Sequence, residues 1–491
     1  MSTSGAAASG SRISRPTDKY HTDALEGTAE IDRLLLELER NLESARSSLT
    51  QQEALLCQVK VLGRNPSTAG PIFSKKGISI LSRYGLDKES SNVSREALRC
   101  LANAFLLNEP SRQLFVDLGY ATKAAERLKV DNRDDEFLIS RILFLLTYST
   151  QVDFELLVNE HHLADSINQH MAHHAKKFSK SGRRKSTTSP MEDMAMVETL
   201  KLMFNMTYYY PDMVSRFTPS IEPLVNLVMH HPLPSPPLQP PISYILNALL
   251  NMDLKSAEKK TPMGREAKSS PLFPYANPEQ VVDRLISIFD NAIRNQPEKD
   301  LDQAAAPLVT LIRRAYELAS PQIKSWMRWI MLPRDKDRDK PLGQGETVSA
   351  RLLRLSCSAN LPTLRENISS LLFELSDKDA NKFVKNIGYG FASGFLMSHN
   401  IQIPANAAEA SSIASEGDAE GGADINPVTG QKLSAEGKGK TETEEMTEEE
   451  KEREAEKLFV LFERLKATGV MDVKNPVQQA VDEGRFEELS D

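Results

Sequence analysis

The chain has 491 residues, of which 40% are apolar and 26% charged, so it can bury a large core and is not disordered as a whole. Only 6% are aromatic and strand formers are not enriched, which argues against an all-β protein. The net charge of −8 is unevenly spread: residues 401–491 hold 22 Asp and Glu against 10 Lys and Arg, leaving 46 against 50 in residues 1–400. An acidic tail on a balanced body, with no basic stripe interleaved with aromatics, excludes nucleic acid as the expected partner.

Three cysteines (Cys57, Cys100, Cys357) lie far apart in helix-like stretches, with neither disulfide-framework nor metal-ligand spacing, as expected of a reducing compartment. The N-terminal MSTSGAAASG lacks the apolar segment of a signal peptide, and no apolar run approaches the ~20 residues that span a bilayer. The expectation is a soluble cytoplasmic protein without direct membrane insertion.

In chain order, residues 1–22 are small and polar and read as disordered. Ile31, Leu34, Leu35, Leu38 and Leu42 then form one apolar helical stripe. The same period returns in EALLCQVKVLG, SREALRCLANAFLL, DEFLISRILFLLTYS, MAMVETLKLMFNMTYYY, ISYILNALLNM, VVDRLISIFDNAI, DQAAAPLVTLIRRAYELA, SARLLRLSCS and TLRENISSLLFELS. Breakers such as Asn65-Pro66, Glu109-Pro110 and Tyr210-Pro211 separate them. Several runs are apolar around most of their circumference and must be packed on both sides, which favours a stack of helix pairs or triplets over separate bundles.

The spacing therefore predicts an all-α stack of helix pairs or triplets, a solenoid, over 23–403. Flexible insertions are expected at about 176–190, which is basic and serine-rich, and at 230–241, which holds six prolines. Residues 404–445 read as a disordered acidic linker and 446–491 as a helical tail. The tail has Thr447 as N-cap, Glu450 three residues later, and Leu458, Phe459, Leu461, Phe462 and Leu465 as an apolar stripe.

No enzyme site or cofactor is expected. There is no Walker phosphate loop, and GYGFASG (388–394) follows a helical run, so it reads as a bend between helices. His170 and His174 stand at i, i+4 without the metalloprotease Glu, and read as a solvated polar helix end. What remains is binding. Asn103, Asn205, Asn247 and Asn251 recur at the ends of apolar helices, and a row of amides could grip a peptide, although each alone could equally cap a helix or bond a loop. Lys60 and Arg64 stand at i, i+4 and could hold a carboxylate, or simply be solvated.

INPVTGQ (425–431) followed by MTEEEKEREAEKLFVLFERL (446–465) resembles the C-terminal region of the synembryns. These are intracellular chaperones and guanine-nucleotide exchange factors for heterotrimeric G protein α subunits. FVKNIGYGFASGFL (383–396) is similar to the segment closing that family's repeat domain, and EALRCLANAF, ISRILFLLTYS and TLKLMFNMT look like its internal helices in the same order. The two insertions, and the fungal-like look of the tail after Gly469, depart from the animal pattern.

The resemblance implies an armadillo/HEAT-like solenoid whose concave face receives the C-terminal helix of a GDP-bound or nucleotide-free α subunit. Lys60, Arg64 and Asn103 match positions used there, while Asn205, Asn247 and Asn251 fall on matching helices. It also implies that the tail, through Leu458, Phe459 and Phe462, reaches the nucleotide-domain side. An acid-directed kinase is a further implied partner, with Ser415 as acceptor, and the G protein would draw the chain to the cell cortex. The alternatives are an armadillo-type scaffold for another helical or extended peptide, and an enzyme with a site assembled across repeats.

Overall fold

The computed structural model describes residues 16–44, 47–177, 189–255, 270–402, 425–426 and 428–435. The first helix, α1 (Pro16–Ser44), buries Ile31, Leu34, Leu35 and Leu38 as its apolar period requires. It begins inside the stretch expected to be disordered, with Pro16 at a position where a fixed φ suits a first helical turn. Helix α2 (Leu49–Leu62) is entered through a capping box of Ser48 and Gln51 and stops at Gly63.

From there the chain falls into triplets, each of two shorter helices and one long one. The first is α3 (Gly70–Phe73), α4 (Lys75–Leu86) and α5 (Asn92–Leu107). The second is α6 (Pro110–Asp117), α7 (Tyr120–Arg127) and α8 (Arg133–Leu146). The third is α9 (Phe154–Asn159), α10 (Leu163–Lys176) and α11 (Pro190–Tyr209). In the fourth, a 3-10 segment Pro211–Ser220 replaces the first helix before α12 (Ile221–His230) and α13 (Ile242–Asn251). A pair follows, α14 (Gln280–Asn295) and α15 (Glu298–Leu318), then α16 (Pro321–Met331), α17 (Val348–Ser356) and α18 (Pro362–Leu375). Helices α19 (Ala380–Ile387) and α20 (Tyr389–Ser398) close the array, with the bend between them at Gly388 as expected.

The long helices make one continuous row: α2 packs on α5, α5 on α8, α8 on α11, α11 on α13, α13 on α15 and α15 on α18. Each repeat touches its sequence neighbours and buries what it could not bury alone, which is the logic of a solenoid. Helices α2, α5 and α8 start at Leu49, Asn92 and Arg133, a spacing of roughly 40 residues that matches an armadillo-type period and that later insertions stretch. The fold is thus the expected all-α solenoid. No described helix is long and apolar enough to cross a membrane.

Residues 230–241, expected as a flexible insertion, run against the array instead. Leu238 is buried and its N–H donates to Gln296 Oε1 at 3.4 Å. Most of 176–190, most of the 404–445 linker including Ser415, and the tail with Leu458, Phe459 and Phe462 lie outside the described residues. The described residues 425–426 and 428–435 return to the α19–α20 end, where an antiparallel bridge joins Ile425 to Lys432.

Candidate partner-binding face

A helix in the middle of a row is covered on both sides and behind, so only one stripe stays open. On α5 that stripe is Arg95, Arg99, Asn103 and Leu106; on α8 it is Asp134, Arg141, Phe144 and, just beyond, Tyr148. On α11 it is Met194, Val197, Lys201, Phe204 and Tyr208, and on α13 Tyr244, Asn247 and Asn251. Spacings of three and four place each set along one side of its helix.

Contacts between stripes show that they form one surface. Lys60 on α2 donates to Glu96 Oε2 on α5 at 2.6 Å, and Arg99 pairs with the other Glu96 oxygen. Arg99 stands 3.6 Å from Asp134, linking α5 to α8. Arg141 donates to Glu198 Oε1 at 3.0 Å, as does Lys201, linking α8 to α11. The Lys201 ammonium lies over the rings of Phe144, at 5.9 Å, and Tyr244, at 5.4 Å, spanning three helices.

Around Lys201 the rings continue. Phe144 meets Tyr148 edge-on at 5.3 Å, and Tyr148 meets Tyr209 at 6.1 Å. Tyr209 meets Tyr208 at 5.2 Å, and Tyr208 stacks on Phe204 at 5.8 Å. Tyr208 is 62% exposed and Leu106 68%. Exposed aromatics held in contact with one another, beside cations, make a patch that presents large apolar area at low conformational cost. Sequence reasoning missed it, although the three consecutive tyrosines before Pro211 were the available signal.

The expected site residues divide. Lys60 is not a free cation: its carboxylate partner is Glu96 of the same chain, whose pKa burial would raise but which the Lys60 hydrogen bond and the charges of Arg99 and Lys60 hold below the ordinary value. Arg64 does not share a helix face with Lys60, because α2 ends at Leu62 and Gly63 caps it; Arg64 is exposed in the turn beyond. Asn205 is buried and donates to Thr147 Oγ1 at 2.7 Å, tying α11 to α8. Asn251 donates to Phe204 O at 3.4 Å and Thr207 Oγ1 at 3.3 Å, tying α13 to α11. Asn103 and Asn247, both half-buried, make no side-chain hydrogen bond to any described residue. The four amides are therefore two stitches and two open groups rather than a uniform ladder.

His170 and His174 are not the solvated helix end that their spacing suggested. Both are buried and serve a carboxylate: His174 Nε2 lies 2.9 Å from Glu136 Oε1, and His170 Nδ1 3.4 Å from Glu136 Oε2. Arg133 pairs with the same group and the Thr199 hydroxyl donates to it at 2.9 Å. Burial alone would raise the Glu136 pKa; the His174 hydrogen bond and the charges of His174, His170 and Arg133 overcome that and bring it to about 2. This knot joins α8, α10 and α11 behind the open stripe.

Residues 55–485 match the family model described as guanine nucleotide exchange factor synembryn. A synembryn-like chaperone of Schizosaccharomyces pombe is 27% identical over 422 residues, 80% of this chain and 76% of its own. Chaperone Ric-8A of Macaca fascicularis is 25% identical over 443 residues, 85% of this chain and 81% of its own. Its Bos taurus counterpart is 24% identical over 424 residues, 80% and 76% respectively.

Proposed function

The chain belongs to the synembryn family of guanine nucleotide exchange factors, and from that premise we propose that its open stripe captures the C-terminal helix of a heterotrimeric G protein α subunit. The chain acts as a chaperone and exchange factor for such subunits. The observation that carries the site assignment is the aromatic and cationic patch across α8, α11 and α13, continued by Asn103 and Arg99 on α5. An amphipathic helix laid across the row offers apolar anchors to the rings, and its backbone carbonyls and carboxylates meet Asn103, Asn247 and Arg99. Arg64, exposed at the edge, adds a carboxylate contact.

The mechanism needs no covalent step. The C-terminal helix of an α subunit packs on its nucleotide-binding core, so withdrawing it loosens that core. A protein that binds the withdrawn helix binds the empty α subunit more tightly than the GDP-loaded one. Linkage requires GDP to bind more weakly by the same factor. Each 1.4 kcal/mol of preference is a tenfold shift, so about 4 kcal/mol corresponds to roughly a thousandfold. The same preference for a half-assembled α subunit is chaperoning. The tail carrying Leu458, Phe459 and Phe462 acts as a second hold on the loosened core, and an acid-directed kinase modifying Ser415 adds charge to the leash. The protein works in the cytoplasm and reaches the cell cortex with its G protein.

A direct test is titration of a peptide spanning the last helix of the G protein partner against the wild-type chain and Tyr208→Ala. Measurable binding that weakens in the variant is expected. Equal binding by both removes the patch from the site, and saturable binding of unrelated helical or extended peptides with equal affinity favours the general scaffold.

A further inference from the structure

The strings INPVTG and GYG lie far apart in sequence, and the described residues of the first sit directly on the second. The Gly390 N–H donates to Val428 O at 2.9 Å. Arg338, buried, donates through Nη1 to Gly430 O at 2.6 Å and through Nη2 to Asn386 O at 2.8 Å, joining the turn to the end of α19. Lys432 N–H donates back to Arg338 O at 3.0 Å, and its ammonium reaches Asp335 at 2.7 Å and Asp339 at 3.0 Å. Within the turn, Gly430 N–H donates to Asn426 O and Asn426 N–H to Gln431 O, both at 2.8 Å.

Both glycines are required. Gly388 has φ +82°, and a Cβ there would lie 2.9 Å from backbone atoms of residues 428–430. Gly430 has φ +69°, and a Cβ would lie 2.5 Å from Leu342 Cδ1.

We infer that this contact is a clasp that sets the point from which the C-terminal tail departs, making Arg338, Gly388 and Gly430 positioning residues for the tail. The inference rests on the tail's role as a second hold on the α subunit. With the clasp closed, the last anchored residue before Thr447 is Lys432, so the tether is 433–446. With it open, the last residue held to the array is Ile401, whose N–H donates to Leu396 O at 2.9 Å, and 402–446 separate it from Thr447. For a flexible linker already longer than the span it must cover, effective concentration falls roughly as the −3/2 power of length, so a roughly threefold lengthening corresponds to a fall of about fivefold. The clasp acts on the tail without touching the α subunit.

The test uses the full chain with Gly430→Val, where a β-branched residue cannot hold φ +69°, and separately a deletion of 425–432 that leaves Gly388 intact. Hydrogen exchange at the Gly390 amide reports clasp opening, and affinity is measured against purified nucleotide-free α subunit. The expected result is faster Gly390 exchange, an unchanged melting profile for the helical array, and a Kd raised about fivefold. That increment disappears when both chains are truncated after residue 445. An open clasp with unchanged affinity overturns the proposal, as does an increment that persists after truncation. Should truncation alone leave the affinity of the unmodified chain unaltered, it is the tail's assigned role that has failed, and the clasp inference falls with it.

Discussion

Two polar clusters sit on opposite sides of the same pair of helices, α8 and α11. Behind them, Glu136 is enclosed by Arg133, His170, His174 and Thr199, with no solvent exposure. In front, Lys201 lies over Phe144 and Tyr244, beside an exposed Tyr208. The rear cluster spends its hydrogen-bonding capacity inside the protein and holds the row together. The front cluster keeps its ring faces open to solvent. A charged residue type alone does not tell the two roles apart; the partner it has already found does.

The sharpest way to break this comparison is at the rear. Glu136→Ala leaves His170 and His174 buried without their carboxylate, and removing one member of such a knot costs about 3–5 kcal/mol. Denaturant unfolding should show that loss, while peptide affinity per folded molecule stays unchanged. At the front, Tyr208→Ala should do the reverse: peptide affinity falls by about 1–2 kcal/mol, roughly 5–30-fold, with stability altered by less than about 0.5 kcal/mol.

Acid gives a graded version of the rear test. The Glu136 pKa is depressed to about 2 from an ordinary 4.5, so its stabilisation is complete above 4.5 and drains away as pH falls through 2. About 3 kcal/mol of unfolding free energy rides on that interval, and Glu136→Gln should flatten the stability profile there. The smallest effect separates the two basic residues. Lys60→Ala should cost about 1 kcal/mol of stability by leaving Glu96 with Arg99 as its remaining cation, whereas Arg64→Ala should leave melting unchanged and weaken partner binding by less than about 1 kcal/mol.

These contrasts also explain what the sequence made legible. The long helices of the row are readable because each is long enough to show a 3.6 period several times over. Short elements such as α3, α6 and α9 are not, since they complete barely two turns. Helix α10 is misread from sequence because its histidines look polar until Glu136, on a helix far earlier in the chain, is brought beneath them. Gly63 is a visible helix stop, and giving it full weight takes Arg64 off the Lys60 face. Asn205 and Asn251 can be told from Asn103 only in three dimensions, where Thr147 and Thr207 accept their amides. The pairing of INPVTG with GYG is likewise invisible, because nothing local in either string names the other.

The central claim is that seizing one end of the α subunit empties its nucleotide site. It is tested most directly by GDP release from a purified α subunit with and without this protein, repeated on an α subunit lacking its last residues. Strong acceleration is expected for the intact subunit and little or none for the shortened one. Equal acceleration of both would contradict it.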